Sequence, residues 1–67
     1  MDNNLKIREI RESRGMTQRR LAEEMNLTPG SVAKWELGYT VPTMQNLNAL
    51  ANVLRCSVDE LLGRTSA

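Results

Sequence analysis

Residues 17–38 read T-Q-R-R-L-A-E-E-M-N-L-T-P-G-S-V-A-K-W-E-L-G, and this segment determines the fold that the chain can adopt. Thr17 is a residue type that caps helices, and apolar side chains follow it at helical spacing at Leu21 and Met25. Asn26 then interrupts the pattern, and asparagine tolerates the left-handed backbone that a helix end before a sharp turn requires. The first half of the segment therefore predicts a short helix that ends in a turn.

The second half predicts another short helix. Thr28 and Pro29 supply an N-cap residue and a first-turn proline. Val32 and Trp35 continue the apolar stripe, and Gly38 supplies the stop. Two helices joined by a turn of about four residues form a helix-turn-helix unit, whose second helix enters the major groove of DNA.

The composition is that of one small domain, residues 1–67. A chain of 67 residues buries only about 60% of its unfolded surface, so it needs good packing or a partner subunit. It has one cysteine, no histidine and no pair of residues at metal-ligand spacing, so we expect no metal and no cofactor. Cys56 is expected to be a buried small hydrophobic residue in a reducing compartment, since a redox switch would need a neighbouring base or a second thiol.

The first six residues, M-D-N-N-L-K, contain no apolar run and predict neither a signal peptide nor a membrane anchor. The formal charge is only +1, but its distribution matters more than its sum. Asp59 and Glu60 lie at the far end of the chain, whereas several positive side chains lie in or beside the segment 17–38: Arg14, Arg19, Arg20 and Lys34.

Two further helices flank the central segment. The first is predicted to run from caps in residues 2–4 to about Arg14, and Gly15 ends it. The fourth begins after the cap residue Thr43. It buries a set of apolar residues at i, i+3, i+4 and i+7 spacing, namely Leu47, Leu50, Ala51 and Leu54.

A last helix opens with an S-x-x-E capping box at Ser57 and Glu60 and is closed by Gly63, with residues 64–67 as a frayed tail. No strand pattern, repeat or linker is present in the sequence. The prediction is an all-α domain of about five short helices.

A set of residue types with characteristic order and spacing extends from about Ile7 to Leu62. It comprises Arg11, Gly15, Thr17, Gln18, Leu21, Ala22, Ser31, Val32, Trp35, Glu36, Gly38, Pro42 and the closing segment V-D-E-L-L, residues 58–62. In this set the chain resembles the Cro/repressor-type helix-turn-helix family of bacterial and phage transcription regulators. The resemblance implies a lambda-repressor-like domain and a sequence-specific repressor that binds double-stranded DNA, at a palindromic operator, as a homodimer. It further implies a bacterial or phage-encoded protein of the cytoplasm, associated with the nucleoid, with no membrane and no small-molecule ligand.

The resemblance also assigns the residues that would contact DNA bases, namely Gln18, Thr28, Pro29, Gly30, Ala33 and Lys34. Here the chain departs from the family pattern, because Pro29 and Gly30 carry no side-chain donor or acceptor. Lys34 would be the main hydrogen-bonding reader, to guanine, while Pro29 and Ala33 would offer apolar contact such as that with a thymine methyl group. Few bases should therefore be read by direct side-chain contacts, and recognition should depend more on DNA shape and on Gln18.

Arg19 and Arg20 stand in the first turn of a helix, where positive charge is unfavourable. A phosphate would remove that conflict; the alternative is that both arginines pair with Glu23 and Glu24 on the surface. The resemblance implies that the full set of phosphate contacts is Thr17, Gln18, Arg19, Arg20, Ser31, Tyr39, Thr43, Met44, Gln45 and Asn46. The loop 39–43 has no Lys or Arg, so about three to four phosphate-neutralising groups per subunit are expected.

Three further roles are structural. Trp35 is expected in the core because of its spacing with Val32, and by resemblance Arg11 forms an ion pair with Glu36. In similar proteins the last helix and the loop before it form the dimer interface. The candidates here are Val58 and Leu61, although the core is an alternative place for Leu61.

A second class of function remains open, a protein-interaction module such as an antitoxin or partner-binding regulator with weak DNA binding. This alternative is favoured by the near-neutral charge, by the loop without basic residues and by the absence of side-chain donors and acceptors at Pro29 and Gly30. A positive face poor in apolar residues would indicate DNA, whereas a large exposed patch of Met, Leu and Val would indicate a partner protein. An enzyme is rejected, because the sequence offers no histidine and no cysteine–base pair.

Overall fold

The computed structural model describes residues 5–64, and within them all regular secondary structure is helical. Five helices follow one another: α1 (Ile7–Ser13), α2 (Gln18–Glu24), α3 (Pro29–Leu37), α4 (Met44–Leu54) and α5 (Val58–Leu61). The predicted all-α class and the helix-turn-helix within residues 17–38 are confirmed. None of the helices in this described part is long and apolar enough to cross a membrane.

The beginning of α1 differs from the prediction. Lys6 is the N-cap residue, and its side chain makes no capping hydrogen bond. The expected caps in residues 2–4 lie outside the described residues. Leu5 and Lys6 are not helical, so α1 begins later than predicted. The Lys6 backbone N–H instead donates to the Leu61 carbonyl at 2.8 Å. A contact with the far end of the chain therefore fixes the beginning of the fold.

The central unit forms as the sequence predicts. The Thr17 hydroxyl accepts the Arg20 N–H at 3.0 Å, which satisfies one of the free donors at the start of α2. Asn26 adopts the left-handed conformation between α2 and α3, with φ 58°. Ala22 is completely buried, and its small side chain allows α2 and α3 to pack closely. The stop after α3 is Gly38, with φ 83°.

The two remaining helices also begin at their predicted caps. The Thr43 hydroxyl accepts the Asn46 N–H at 3.2 Å. Ser57 and Glu60 form the complete capping box of α5, with hydrogen bonds of 2.8 and 3.0 Å. Arg55 ends α4 in a left-handed conformation, φ 56°. Local hydrogen bonds thus define where both helices begin.

The core collects apolar residues from all five helices. Trp35 is only 5% exposed, so its predicted place in the core is confirmed. The completely buried members are Leu21, Ala22, Val32, Leu50, Leu54 and Leu61. Cys56 packs against this core half-buried, and burial together with the nearby Glu60 raises the pKa of its thiol. The thiol is therefore kept in its unreactive protonated form.

Arg14 has a structural role that the sequence did not reveal. Its Nε and Nη2 atoms donate to the carbonyls of Leu54 and Arg55, at 2.7 and 3.1 Å. Carbonyls at the end of a helix lack intrahelical donors, and Arg14 supplies them. Its charge is thus directed to the end of α4, rather than to the face of the helix-turn-helix.

Candidate functional site

One side of α3 points away from the core. Val32 and Trp35 hold the helix by its buried side. The opposite side carries four residues at i, i+3, i+4 and i+7 spacing, namely Gly30, Ala33, Lys34 and Leu37, and we call them the α3 face. Lys34 is the only charged member of this face, and its side chain has no ion-pair partner among residues 5–64.

Leu37 was missed as a candidate contact residue. It is 66% exposed at the end of the α3 face. Its spacing of seven residues from Gly30 and three from Lys34 is a helical-face signal that the sequence already contained. The candidates Thr28 and Pro29 are exposed at the beginning of the helix, and Ser31 is half-buried beside them. The Thr28 hydroxyl makes no cap bond and lies 3.4 Å from that of Ser31.

A buried ion pair fixes α3 relative to α1. Arg11 Nε and Nη2 donate to the two carboxylate oxygens of Glu36, at 2.7 and 3.1 Å. The two side chains are 9% and 4% exposed, so the pair expected from the resemblance is present and buried. Arg11 Nη1 donates to the Met16 carbonyl at 2.7 Å. The hydrogen bond with Glu36 raises the pKa of Arg11 above its ordinary value, which keeps the guanidinium charged.

Gln18 joins this ion pair from the beginning of α2. Its Nε2 atom donates to Glu36 Oε1 at 3.0 Å. A carboxylate can only accept, so the amide nitrogen must face Glu36. Glu36 is the penultimate residue of α3, so Gln18 braces the end of that helix. One N–H and the amide oxygen of Gln18 are left for other contacts.

Arg19 and Arg20 form exposed ion pairs within α2. Arg19 lies 3.5 Å from Glu23, and Arg20 lies 3.0 Å from Glu24. The surface pairing considered as an alternative is therefore present. Exposed pairs of this kind contribute only about 0–1 kcal/mol, so both arginines can turn to another anion at little cost.

The beginning of α4 offers a second set of polar groups. The N–H groups of Met44 and Gln45 occupy the first two helical positions, where no intrahelical acceptor exists. The Thr43 hydroxyl, which accepts the Asn46 N–H, still has a proton to donate. Tyr39, in the preceding loop, is 75% exposed. These groups are accessible, as phosphate contacts must be.

The connection between α3 and α4 also exposes apolar side chains. Leu37, Tyr39, Val41 and Met44 are between 66% and 75% exposed. All four belong to one stretch of eight residues, 37–44, which we call the apolar connection. Such a surface is a feature that the interaction-module alternative would require.

The candidates for a dimer interface are placed differently from each other. Leu61 is completely buried within the core of its own chain, so it has no surface to offer a partner, and its assignment to the interface was wrong. Val58, at the beginning of α5, is half-buried and retains accessible surface. Within residues 5–64, no three His, Cys, Asp or Glu side chains are grouped so that they could hold a metal ion.

Comparisons with known proteins agree with this architecture. Residues 7–61 match the model of a family described as helix-turn-helix. The chain is 41% identical over 54 residues to the cryptic phage CTXphi transcriptional repressor RstR of Vibrio cholerae, which covers 81% of this chain and 48% of the relative. It is 32% identical over 62 residues to the transcriptional activator BcrR of Enterococcus faecalis, which covers 92% of this chain and 30% of the relative.

The chain thus spans less than half the length of these two curated relatives. Among solved structures, it superimposes with a TM-score of 0.82 on the P22 c2 repressor protein in complex with a synthetic operator. The sequence identity is 32%, and the match covers 90% of this chain and 91% of that one.

Proposed function

Because the chain belongs to the helix-turn-helix family, we propose that it is a sequence-specific DNA-binding transcription regulator that inserts α3 into the major groove. The observation that carries this proposal is the exposed α3 face, held at a fixed angle by the Arg11–Glu36–Gln18 contacts. A helix that reads bases needs such rigid support, since its side chains must reach the base edges in a defined register. The likeness to a repressor in complex with a synthetic operator supports the binding of DNA.

The α3 face favours a simple pattern of base contacts. Lys34 donates hydrogen bonds to guanine O6 and N7, while Ala33, Pro29 and Leu37 offer apolar contact to thymine methyl groups. Gly30 adds no side chain and allows the backbone to approach the base edges closely. Thr28 and Gln18 supply the remaining polar contacts of the base-reading set.

Phosphate contacts would hold both sides of the α3 face. Around the beginning of α2 the groups are Thr17, Gln18, Arg19 and Arg20, with Ser31 on α3. In the loop before α4 and at its beginning they are Tyr39, Thr43, Met44, Gln45 and Asn46. About three to four groups per subunit neutralise phosphates, and each contributes about −0.9 to the slope of log K against the logarithm of the salt concentration.

The regulator acts as a repressor and binds a palindromic operator as a homodimer, with half-sites about 34 Å apart. Val58 and its neighbours at the beginning of α5 form the contact between subunits. The setting is the bacterial cytoplasm and nucleoid, on a chromosome or a phage genome. The bacterial and phage sources of the relatives support this setting.

The first test is selection of bound sequences from a random duplex library, followed by measurement of the salt dependence on the selected site. We expect enrichment of a palindrome whose half-sites are one helical turn apart, with guanine and thymine in each half-site. A single unpaired site would contradict the homodimer and leave DNA binding intact. A library without enrichment would contradict sequence-specific binding.

The apolar connection supports a second candidate, binding of a partner protein through Leu37, Tyr39, Val41 and Met44. In that case the library shows no enrichment. Changing Val41→Ser and Met44→Gln together then abolishes binding of the partner, while Lys34→Ala does not. The two candidates thus predict opposite effects for the two changes.

A further inference from the structure

Three arginines near α2 and the end of α4, Arg14, Arg20 and Arg55, border the same space, and we call them the second cationic site. There an open cavity of about 460 Å³ is bordered by Arg14, Arg20, Glu24, Asn52 and Arg55. α4 is 11 residues long, so its end lies about 16 Å from the beginning that is expected to face DNA. No residue of α3 borders the cavity, whereas Arg20 on α2 does.

Arg14 is held rigidly at the wall of this cavity. Its guanidinium donates to the carbonyls of Leu54 and Arg55 and, at 3.2 Å, to the Ser13 hydroxyl. A guanidinium has five N–H groups, so three are used and one remains on each Nη atom. A fixed guanidinium with a free N–H group on each Nη atom can bind carboxylate or phosphate oxygens through two hydrogen bonds.

Arg55 adds a second positive charge, and no carboxylate within residues 5–64 pairs with it. Its left-handed backbone ends α4, and its carbonyl is one of the acceptors that Arg14 holds. Its guanidinium makes no ion pair or hydrogen bond with any residue of the described range 5–64. By contrast, the arginines on α1 and α2 form ion pairs with glutamates: Arg8, Arg11, Arg19 and Arg20.

The charges around the cavity do not balance. Arg20 is neutralised by Glu24 at 3.0 Å, whereas Arg14 and Arg55 have no carboxylate partner among residues 5–64. Two guanidinium groups without a carboxylate partner therefore border the same space, although helix-end carbonyls already accept two of the N–H groups of Arg14. Asn52, whose amide can donate a further hydrogen bond, also borders it. The volume is within the range of about 300–1,000 Å³ that is usual for ligand sites.

We propose that the cavity bordered by Arg14, Arg20 and Arg55 is a binding site for a phosphate group, supplied by a small phosphorylated molecule or by the backbone of DNA that flanks the half-site. The planar guanidinium groups favour a tetrahedral oxyanion with several acceptor oxygens over chloride. A phosphate would also compete with Glu24 for Arg20, so its binding alters a group at the edge of the DNA-facing surface.

The test uses the whole 67-residue chain and two probes. In the first arm, inorganic phosphate is titrated against chloride at matched ionic strength, and the amide resonances of Gly15, Asn52 and Arg55 are followed by NMR. We expect saturable shifts at these residues, and about tenfold weaker binding in the Arg55→Gln variant, because it loses a charge-assisted hydrogen bond. Arg64→Gln is the matched control, since Arg64 is an exposed arginine outside the cavity.

The second arm measures the salt dependence of binding to the selected duplex with short and with extended flanks. If flanking DNA supplies the phosphate, Arg55→Gln reduces the slope by about 0.9 on the extended duplex and Arg64→Gln does not. If a small molecule supplies it, Arg55→Gln weakens phosphate binding and leaves the slope unchanged. The proposal is overturned if Arg55→Gln and Arg64→Gln cannot be distinguished with either probe. The first arm requires no DNA binding, so its result is independent of the proposed function.

Discussion

At the scale of single residues, the Arg11–Glu36 pair places two charges where water hardly reaches them. The pair is acceptable because three donors converge on Glu36, two from Arg11 and one from Gln18. Removal of a charge from such a pair leaves its partner buried and uncompensated, which costs more than replacement of both by apolar groups. The pair is thus a stronger determinant of the α1–α3 arrangement than an exposed pair would be.

Arg11→Met should therefore lower the free energy of unfolding by about 3–5 kcal/mol, enough to unfold much of a domain of this size. Because the pKa of Arg11 is raised in the folded protein, its stabilising contribution is present at every pH below the pKa of this arginine in the unfolded chain and is lost only as the pH rises above that value. The destabilisation by Arg11→Met should therefore not vary with pH around neutrality. Urea unfolding of the free protein followed by circular dichroism measures the difference.

Arg8→Met is the matched control, because it makes the same change three residues earlier on α1. Arg8 pairs with Glu12 at the surface, where the side chains are 72% and 56% exposed, and we expect a change below about 1 kcal/mol. The double variant Arg11→Met with Glu36→Leu should be more stable than Arg11→Met alone. Equal losses in Arg11→Met and Arg8→Met would show that the pair contributes nothing specific.

Lys34 is the residue on which direct readout depends most. Lys34→Ala should weaken binding to the selected site by about 1–3 kcal/mol and relax the preference for guanine at one position. Arg64→Ala removes the same charge elsewhere and should preserve that preference. Competition assays with single-base variants of the site measure both effects. Uniform weakening on every sequence would identify Lys34 as a phosphate contact.

At the scale of helices, two threonines in equivalent positions make different contacts. Both Thr17 and Thr28 precede a helix in the extended conformation, but only the Thr17 hydroxyl accepts a backbone N–H. Thr17→Ala should therefore destabilise the free protein by about 1 kcal/mol. Thr28→Ala removes the same atoms from an exposed cap position and should cost less than half as much. Thermal unfolding without DNA compares them, and equal losses would contradict the assigned cap.

The same contrast explains which parts of the structure could be predicted from the sequence. The helix starts at Thr17, Thr43 and Ser57 depend on hydrogen bonds to residues three positions along the chain, so short sequence motifs reveal them. The start at Lys6 depends on Leu61, and no local motif encodes a contact between residues that are far apart in the chain.

The features of the candidate site also divide into those that could be predicted from the sequence and those that could not. The α3 face follows from helical period, and even Leu37 could have been included by that rule. The second cationic site could not be predicted, because Arg14 reaches carbonyls 40 and 41 residues away. The Arg11–Glu36 pair also joins distant residues, and only the resemblance to a family made it an expectation.

At the scale of the whole molecule, the proposed dimer would require the last helix both to complete the core and to contact a second subunit. α5 is only four residues long, and its Leu61 closes the core of the chain. In the proposed dimer, the contact between subunits would therefore use Val58 and its exposed neighbours, and the interface would be small. Interfaces of this size are weak, so the proposed dimer should assemble mainly on the palindrome, where both subunits are held close together.

Val58→Asp tests this arrangement. An acidic residue is favourable in the first turn of a helix, so the variant should fold, while a charge on each side of a two-fold contact repels its copy. We expect unchanged affinity for a single half-site and about tenfold weaker binding to the full palindrome, a loss of about 1.4 kcal/mol. Asn48→Asp introduces the same charge on the exposed surface of α4 and should preserve binding to both duplexes. If the two variants bind the palindrome equally well, the subunits do not meet at α5.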